Sequence, residues 1–281
     1  MKLYNLIHRI NLTLPLPRRV RWMLLRFSRK YSDIPSQFTD VRINQGLLMD
    51  LDMNQPVDEL IYFNVMDHEI IKEISRYVQQ DDTVLDIGAN VGYFSLIMAR
   101  KVIPNGTVHS FEPIPAIAER LANHAHRNKY EKIIKIHCLA ISDSSGDKIF
   151  YITPRHLGHS SLAPETEGPQ ISIEVKVSTL DELYIGNEIG RPTFIKIDIE
   201  GAELFALKGA EKLIQDCRPV IVSEIGCYQK ISFNYNTADI WKWADAHDYL
   251  FTFLHPYLGY QRVTLENVDT LPDGNVLLKP R

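Results

Sequence analysis

Two groups of charged residues, each closing an apolar run, are the side chains best placed to do chemistry. The first is Asp86 in Val84-Leu85-Asp86-Ile87-Gly88-Ala89-Asn90-Val91-Gly92, with Glu112 following in Ser110-Phe111-Glu112-Pro113. The second is Lys196-Ile197-Asp198-Ile199-Glu200-Gly201-Ala202-Glu203, with Glu224 closing the run 219–224. A buried strand that ends in an acid and then turns through glycine lets a ligand approach the backbone, because glycine has no Cβ. A dinucleotide fingerprint would need glycines where Asn90 and Tyr93 stand, so that reading fails. An acid at the strand end also repels phosphate. Asp86 suits a cationic ligand, or one rich in hydrogen-bond donors. S-adenosylmethionine is both, through its ammonium and sulfonium groups. Glu112 ends the next strand, where a carboxylate can accept both hydroxyls of a ribose. Asp143, after Ala140-Ile141-Ser142, is placed to receive an adenine amino group. The predicted donor site is therefore Asp86, Gly88, Asn90, Gly92, Glu112, Pro113, Ser142, Asp143 and Asp198.

In a strand, alternate side chains share a face, so Lys196, Asp198 and Glu200 project together if the strand persists. Burying three charges costs several kcal/mol unless they pair, and Lys196 can pair with a carboxylate. Glu203 falls in the first turn of the next helix, a favourable place for an acid and a structural one.

These residues must be held by a layered α/β scaffold. Strands are predicted at 83–87, 107–111, 133–138, 147–152, 171–177, 193–197 and 219–224. Helices are predicted at 91–101, 115–128, 179–186, 201–216 and 237–248. The chain ends in strands at 250–254, 260–265 and 275–279. Ahead of this come a hairpin of Val41–Ile43 and Leu47–Leu51 around Asn44-Gln45-Gly46, and a helix over His68–Val78. Apolar strands alternating with helices imply a mostly parallel sheet covered on both faces, with an antiparallel pair at its C-terminal end.

Composition narrows the function. The 281 residues are 45% hydrophobic and 23% charged, enough for a sizeable core. Residues 1–30 hold eight of the 31 Lys/Arg and none of the 35 Asp/Glu, so a basic end adjoins an acidic body. Such a body is ill suited to nucleic acid. The apolar run Leu12–Leu16 is short, contains Pro15 and is followed by arginines, which argues against a signal peptide. Residues 18–30 read as a basic amphipathic helix. Either it meets an anionic membrane surface or acidic partner, or it packs on the body with its arginines solvated or paired. Three cysteines without a paired spacing suit a reducing compartment, so a cytoplasmic location is expected, with residues 1–30 as the point of peripheral contact at the inner membrane.

Five segments in order carry a resemblance: Asp86–Phe94, Phe111-Glu112-Pro113, Ala140-Ile141-Ser142-Asp143, Thr179-Leu180-Asp181-Glu182-Leu183, and Phe194–Ala210. Together they resemble the FkbM family of S-adenosylmethionine-dependent methyltransferases, over about residues 45–225 and more weakly to the C-terminus. The resemblance implies the class I methyltransferase fold, Rossmann-like, with a seven-stranded sheet. That domain is expected over 38–281, after a basic extension over 1–37 whose own pattern reads as helical. The resemblance also implies methyl transfer, most often to a hydroxyl of a sugar, glycan or natural product. It leaves open an N-methyltransferase or an inactive donor-binding module on the same fold. In this fold the strand ending at Lys196-Ile197-Asp198 lies beside the reactive methyl group. Asp198 is then the first candidate for the general base or acceptor-orienting group, and Glu224 the second. Glu200 is a candidate for holding acceptor hydroxyls, and Lys196 for pairing with the carboxylates. Two such carboxylates can hold Mg²⁺, as in some other class I enzymes, but the resemblance brings no metal, and none is predicted.

Histidines add little. His124 and His126 are two apart and do not share a helix face. His68-Glu69 lacks the second histidine of a zinc motif, since Lys72 stands there. His156 and His159 flank Gly158 in an irregular segment that reads as a polar loop able to cover a substrate. His255, at a strand end, is a candidate acceptor-site residue.

Overall fold

A computed structural model describes residues 2–14, 16–164, 169–226 and 228–281. Helices α1 (Leu3–Thr13) and α2 (Arg18–Tyr31) precede a hairpin of β1 (Gln37–Arg42) and β2 (Leu48–Asp52). Helices α3 (Pro56–Tyr62) and α4 (His68–Tyr77) lead into β3 (Thr83–Ile87), α5 (Tyr93–Val102), β4 (Thr107–Phe111), α6 (Pro115–Arg127) and β5 (Ile134–His137). An insertion follows, with β6 (Ala140–Ile141), β7 (Gly146–Ile152), β8 (Ile171–Ser178) and α7 (Leu180–Ile185). The alternation resumes through β9 (Phe194–Ile197), α8 (Glu203–Lys208), α9 (Glu211–Cys217), β10 (Val220–Ile225), α10 (Tyr228–Phe233) and α11 (Thr237–Ala246). Strands β11 (Tyr249–His255), β12 (Gly259–Arg262) and β13 (Gly274–Pro280) close the chain.

The main sheet runs β12-β11-β13-β10-β9-β3-β4-β5. The neighbours from β10 to β5 are parallel, and β13 lies antiparallel between β10 and β11. Without the edge strand β12 this is the class I methyltransferase order. The eighth strand arises because β11 turns back at once through Pro256–Leu258 into β12. The expected antiparallel pair, β11 with β12, stands at one end of the sheet, and β13 is inserted between that pair and β10.

Two expected strands belong elsewhere. β7 and β8 form a separate three-stranded sheet with β6, in the order β6-β8-β7. Their charged positions Asp147, Lys148, Glu174 and Lys176 explain this. A parallel strand buried on both faces has no place for them. The helix expected over 201–216 is broken at Gly209, where a Cβ would stand 2.1 Å from the Ser142 carbonyl oxygen. Helix α3 starts with proline at its first position, where the missing N–H costs nothing. That short helix and α10 show too little periodicity to be read in advance.

The basic N-terminus packs on the body. Tyr4, Ile7 and Leu25 join the same core as Met49, Phe63 and Ile70. Arg21 is buried and donates to the carbonyls of Asn11, Leu14, Leu16 and Asn64. Arg18 pairs with Asp67 and Glu69, and Arg29 with Glu59. Among the described residues no helix is long and apolar enough to cross a membrane.

Candidate functional site

The carboxyl ends of β3, β4, β9 and β10 open into one cavity. Gly88, Asn90, Glu112, Pro113, Lys196, Asp198, Glu200 and Glu224 all line it, so eight of the predicted residues meet there. One stretch of wall is apolar, made by Phe111, Ile114, Leu139, Ile141 and Phe150. Such a surface suits a flat heterocycle.

Glu112 is the polar feature at that end. Its Oε2 accepts the Asn90 N–H at 3.1 Å and its Oε1 accepts the Ile114 N–H at 2.9 Å. Two backbone donors therefore aim the carboxylate, and each oxygen keeps a second lone pair for a ribose hydroxyl. Burial pushes its pKa up to about 7, against the pull of those two N–H groups. A diol donates two hydrogen bonds, which the ionised form accepts and the protonated form does not fully match. We expect affinity for S-adenosylhomocysteine to fall as pH drops through about 7, by up to tenfold per unit, and Glu112→Gln to flatten that dependence. Calorimetric titrations between pH 6 and 8.5 test this. An affinity constant across that range would show that ribose is held elsewhere.

At the other end, Lys196 is the hub. It is buried, its Nζ lies 3.3 Å from Asp86 Oδ1 and 3.2 Å from Asp198 Oδ2, and it donates to the Gly88 carbonyl at 2.8 Å. Burial alone would lower the ammonium's pKa. The two carboxylates outweigh it and hold the group above the usual lysine range. Lys196 also lies 5.4 Å from the centroid of the Phe94 ring. The expected pairing of Lys196 with carboxylates is thus present. Its partner in the core is Asp86.

That corrects the reading of Asp86. Its side chain is fully buried and does not line the cavity. Oδ2 accepts the Ser95 hydroxyl at 2.6 Å and Oδ1 faces Lys196, so the cation it meets belongs to the protein. Gly88 has a structural constraint of its own. Its φ is +76°, and an added Cβ would lie 1.8 Å from the Asp198 carbonyl oxygen. The close approach that demands glycine is to the Asp198 loop, while Gly88 itself still lines the cavity. Gly92, with φ +89°, packs against Leu121 at the start of α5 and also lies outside the cavity lining. Ser142 and Asp143 miss the cavity too. Ser142 is fixed by the Ser178 carbonyl and by close packing on Gly209, while Asp143 is exposed. Leu139, Ala140 and Ile141 line the wall instead. His255 lies apart in a second cleft, where its Nδ1 accepts the N–H groups of Tyr257 and Leu258 and shapes that turn.

Asp198, Glu200 and Glu224 converge. One ligand atom from each lies within 4.8 Å of the others. Carboxylate oxygens at this spacing suit a hard divalent cation, although the Lys196 ammonium already supplies positive charge at Asp198. Glu200 sits at φ +55°, at the start of the turn into α8, and its carbonyl accepts the Ser161 hydroxyl at 3.0 Å. Glu203 is structural. Its Oε1 accepts the N–H groups of Ile199 and Gly201, and its Oε2 accepts from Gln229 and Tyr235.

Among the acids lining the cavity, Asp67 escaped the sequence reading. Asp67 precedes α4 at its N-cap position, a signal that was available. Its enclosed position pushes its pKa up to about 6, with Glu69 and Asp198 adding to the shift and Arg18 opposing it. His156 and His159, which flank Gly158 in the expected polar loop, reach the cavity with Leu157 from the segment after β7, pinned by Gln55, which accepts from the Leu157 N–H and donates to the Pro154 carbonyl.

The family model for the methyltransferase FkbM domain matches residues 86–261. The chain belongs to the FkbM methyltransferase family. The FkbM match begins at Asp86 and runs into β12, within the stretch over which the resemblance was expected. A hexuronic acid methyltransferase, AglP, of Haloferax volcanii is 31% identical over 156 residues, covering 56% of this chain and 61% of that protein. Methyltransferase sdnD of Sordaria araneosa is 28% identical over 157 residues, covering 46% and 60%. The chain thus spans about three-fifths of the length of these relatives. A solved FkbM methyltransferase from Methylobacillus flagellatus is 18% identical, covering 79% of this chain and 54% of that one with a TM-score of 0.44.

Proposed function

We propose that this FkbM-family chain transfers a methyl group from S-adenosylmethionine to a hydroxyl of a sugar or glycan. The observation that carries the reading is a single cavity with a ribose-ready carboxylate, Glu112, at one end and the Asp198/Glu200/Glu224 group at the other. The sugar class follows the name of the Haloferax relative, a hexuronic acid methyltransferase.

The donor fits the residues present. The apolar wall Phe111–Leu139–Ile141 takes the base, Glu112 takes the ribose, and the acidic end suits a cation. When bound, S-adenosylmethionine supplies an electrophilic methyl group whose loss leaves a neutral thioether. The chain's own residues then have two tasks. They hold the acceptor hydroxyl in line, which alone can supply much of the rate, and they take its proton. Asp198 is assigned that proton. Lys196 engages its Oδ2 and fixes the carboxylate's orientation. Glu224, closing β10, is assigned to orient the acceptor, with Glu200 binding a neighbouring hydroxyl. With Lys196 supplying positive charge, we assign no metal to the reaction. The thiol of Cys138 is exposed and unbridged, which fits our placement of the enzyme in the reducing cytoplasm.

Asp198→Asn is expected to lower kcat by about a hundredfold or more. The assay is transfer of labelled methyl from the donor to uronic-acid-containing glycans in buffer with EDTA. Full turnover by the variant would remove Asp198 from the chemistry. Loss of wild-type turnover in EDTA would assign the carboxylates to a metal. Failure of the wild type to bind S-adenosylhomocysteine at millimolar concentration would sink the whole reading.

A further inference from the structure

The eight cations of residues 1–30 are not equivalent in the folded chain. Arg18, Arg21 and Arg29 are directed to the body, where they meet Asp67, Glu69, Glu59 and backbone carbonyls. The opposite face of α2 carries Arg19, Arg26 and Lys30, all exposed and none in an ion pair among the described residues. Between them on that face stand Met23 and Phe27, 61% and 47% exposed. At one end, Arg19 lies over the Tyr257 ring at 4.6 Å, which brings in the turn bearing Leu258, 71% exposed.

We propose that this face, the outer side of α2 with the Tyr257–Leu258 turn, docks the enzyme on an anionic lipid bilayer. Cations alone would serve any acidic surface. Large apolar side chains set among the cations and left in water fit the boundary of headgroups and acyl chains, where the apolar groups bury and the cations meet phosphates. The lack of any Asp or Glu in residues 1–30 of a chain with net charge −4 adds to the charge complementarity. Because α2 is folded onto the core through Arg21, Leu25 and Ser28, the face is already formed and pays no folding entropy on docking. Docking also orients the molecule. Arg18, Tyr257 and Leu258 line the second cleft, which therefore opens beside the membrane face, and Arg18 reaches from it to Asp67 on the wall of the central cavity.

Co-sedimentation of the full chain with vesicles tests the proposal. Phosphatidylcholine vesicles are compared with phosphatidylcholine:phosphatidylglycerol 7:3 in 0.1 M salt. Binding to the anionic vesicles and not to the neutral ones is expected. Arg19→Gln/Arg26→Gln/Lys30→Gln is expected to weaken partitioning by roughly a hundredfold, and Met23→Ser/Phe27→Ser to weaken it at least tenfold with charge unchanged. All these positions are exposed, and unchanged melting curves confirm that the variants fold. Equal sedimentation with both vesicle types, or wild-type binding by the triple variant, would overturn the proposal. So would a charge effect without an effect of Met23→Ser/Phe27→Ser, which would reassign the face to an acidic macromolecule.

Discussion

Gly88→Ala is expected to destabilise the chain by at least about 3 kcal/mol and to abolish binding of S-adenosylhomocysteine. Two costs combine. At φ +76° the backbone is in the left-handed region, where a side chain costs about 1–3 kcal/mol. The new Cβ would also stand 1.8 Å from the Asp198 carbonyl oxygen and 2.9 Å from its carbon, and neither is the end of a flexible side chain. Relief requires the Asp198–Glu200 loop to move, and Gly88 and that loop both line the cavity. Gly259 provides the control. Its φ is +77° with nothing within 4 Å, so Gly259→Ala isolates the conformational cost. A melting-point drop of roughly 6–12 °C is expected for Gly88→Ala, and a few degrees at most for Gly259→Ala. Similar small shifts in the two variants would show that the loop yields freely and that the close approach has no consequence.

Lys196→Met is expected to cost about 3–5 kcal/mol, because it strands a buried charge. Asp86 is fully buried, and among the described residues Lys196 is the cation that faces it. The Ser95 hydroxyl remains as a hydrogen-bond donor but brings no countercharge. If the loss is electrostatic, adding Asp86→Asn to Lys196→Met should recover much of it, since the stranded charge is gone. Denaturant unfolding of the two single variants and the double variant measures that coupling. Additive losses would show that packing, not pairing, holds this hub together. Asp198, 30% exposed, can turn to water, so Asp198→Asn is expected to cost less than about 1 kcal/mol. The same lysine thus has a structural partner behind it and a functional one in front.

The contrast between Asp86 and Asp198 shows what could be read from the chain alone. Both stand at the end of an apolar strand beside a glycine turn, and the pattern marks both as site residues. Strand alternation does not say which face a terminal side chain takes. Lys196, paired in register with Asp86 on the adjacent strand, draws that carboxylate inward. Glu112 follows the end of β4, and two nearby N–H groups turn it to the cavity. Asp143 was legible as part of a motif, but the packing of Ser142 on Gly209 holds the loop away from the cavity. His255 was placed at the binding edge by its strand. The insertion of β13 between β10 and β11 moves that strand away from the carboxylates and into the second cleft.

The chain by itself determined the parallel core, its order of strands and helices, the glycine turn after β3 and the carboxylates at the strand ends. These depend on periodicity and residue type, which act over a few positions. Tertiary structure alone decided which acids face the cavity, where β7 and β8 go, and how the basic N-terminus divides. Those outcomes depend on pairings between residues such as Lys196 and Asp86, or Arg18 and Asp67. Each partner there is a hydrophilic residue with many alternatives in sequence, and only the burial of the intervening core selects one of them.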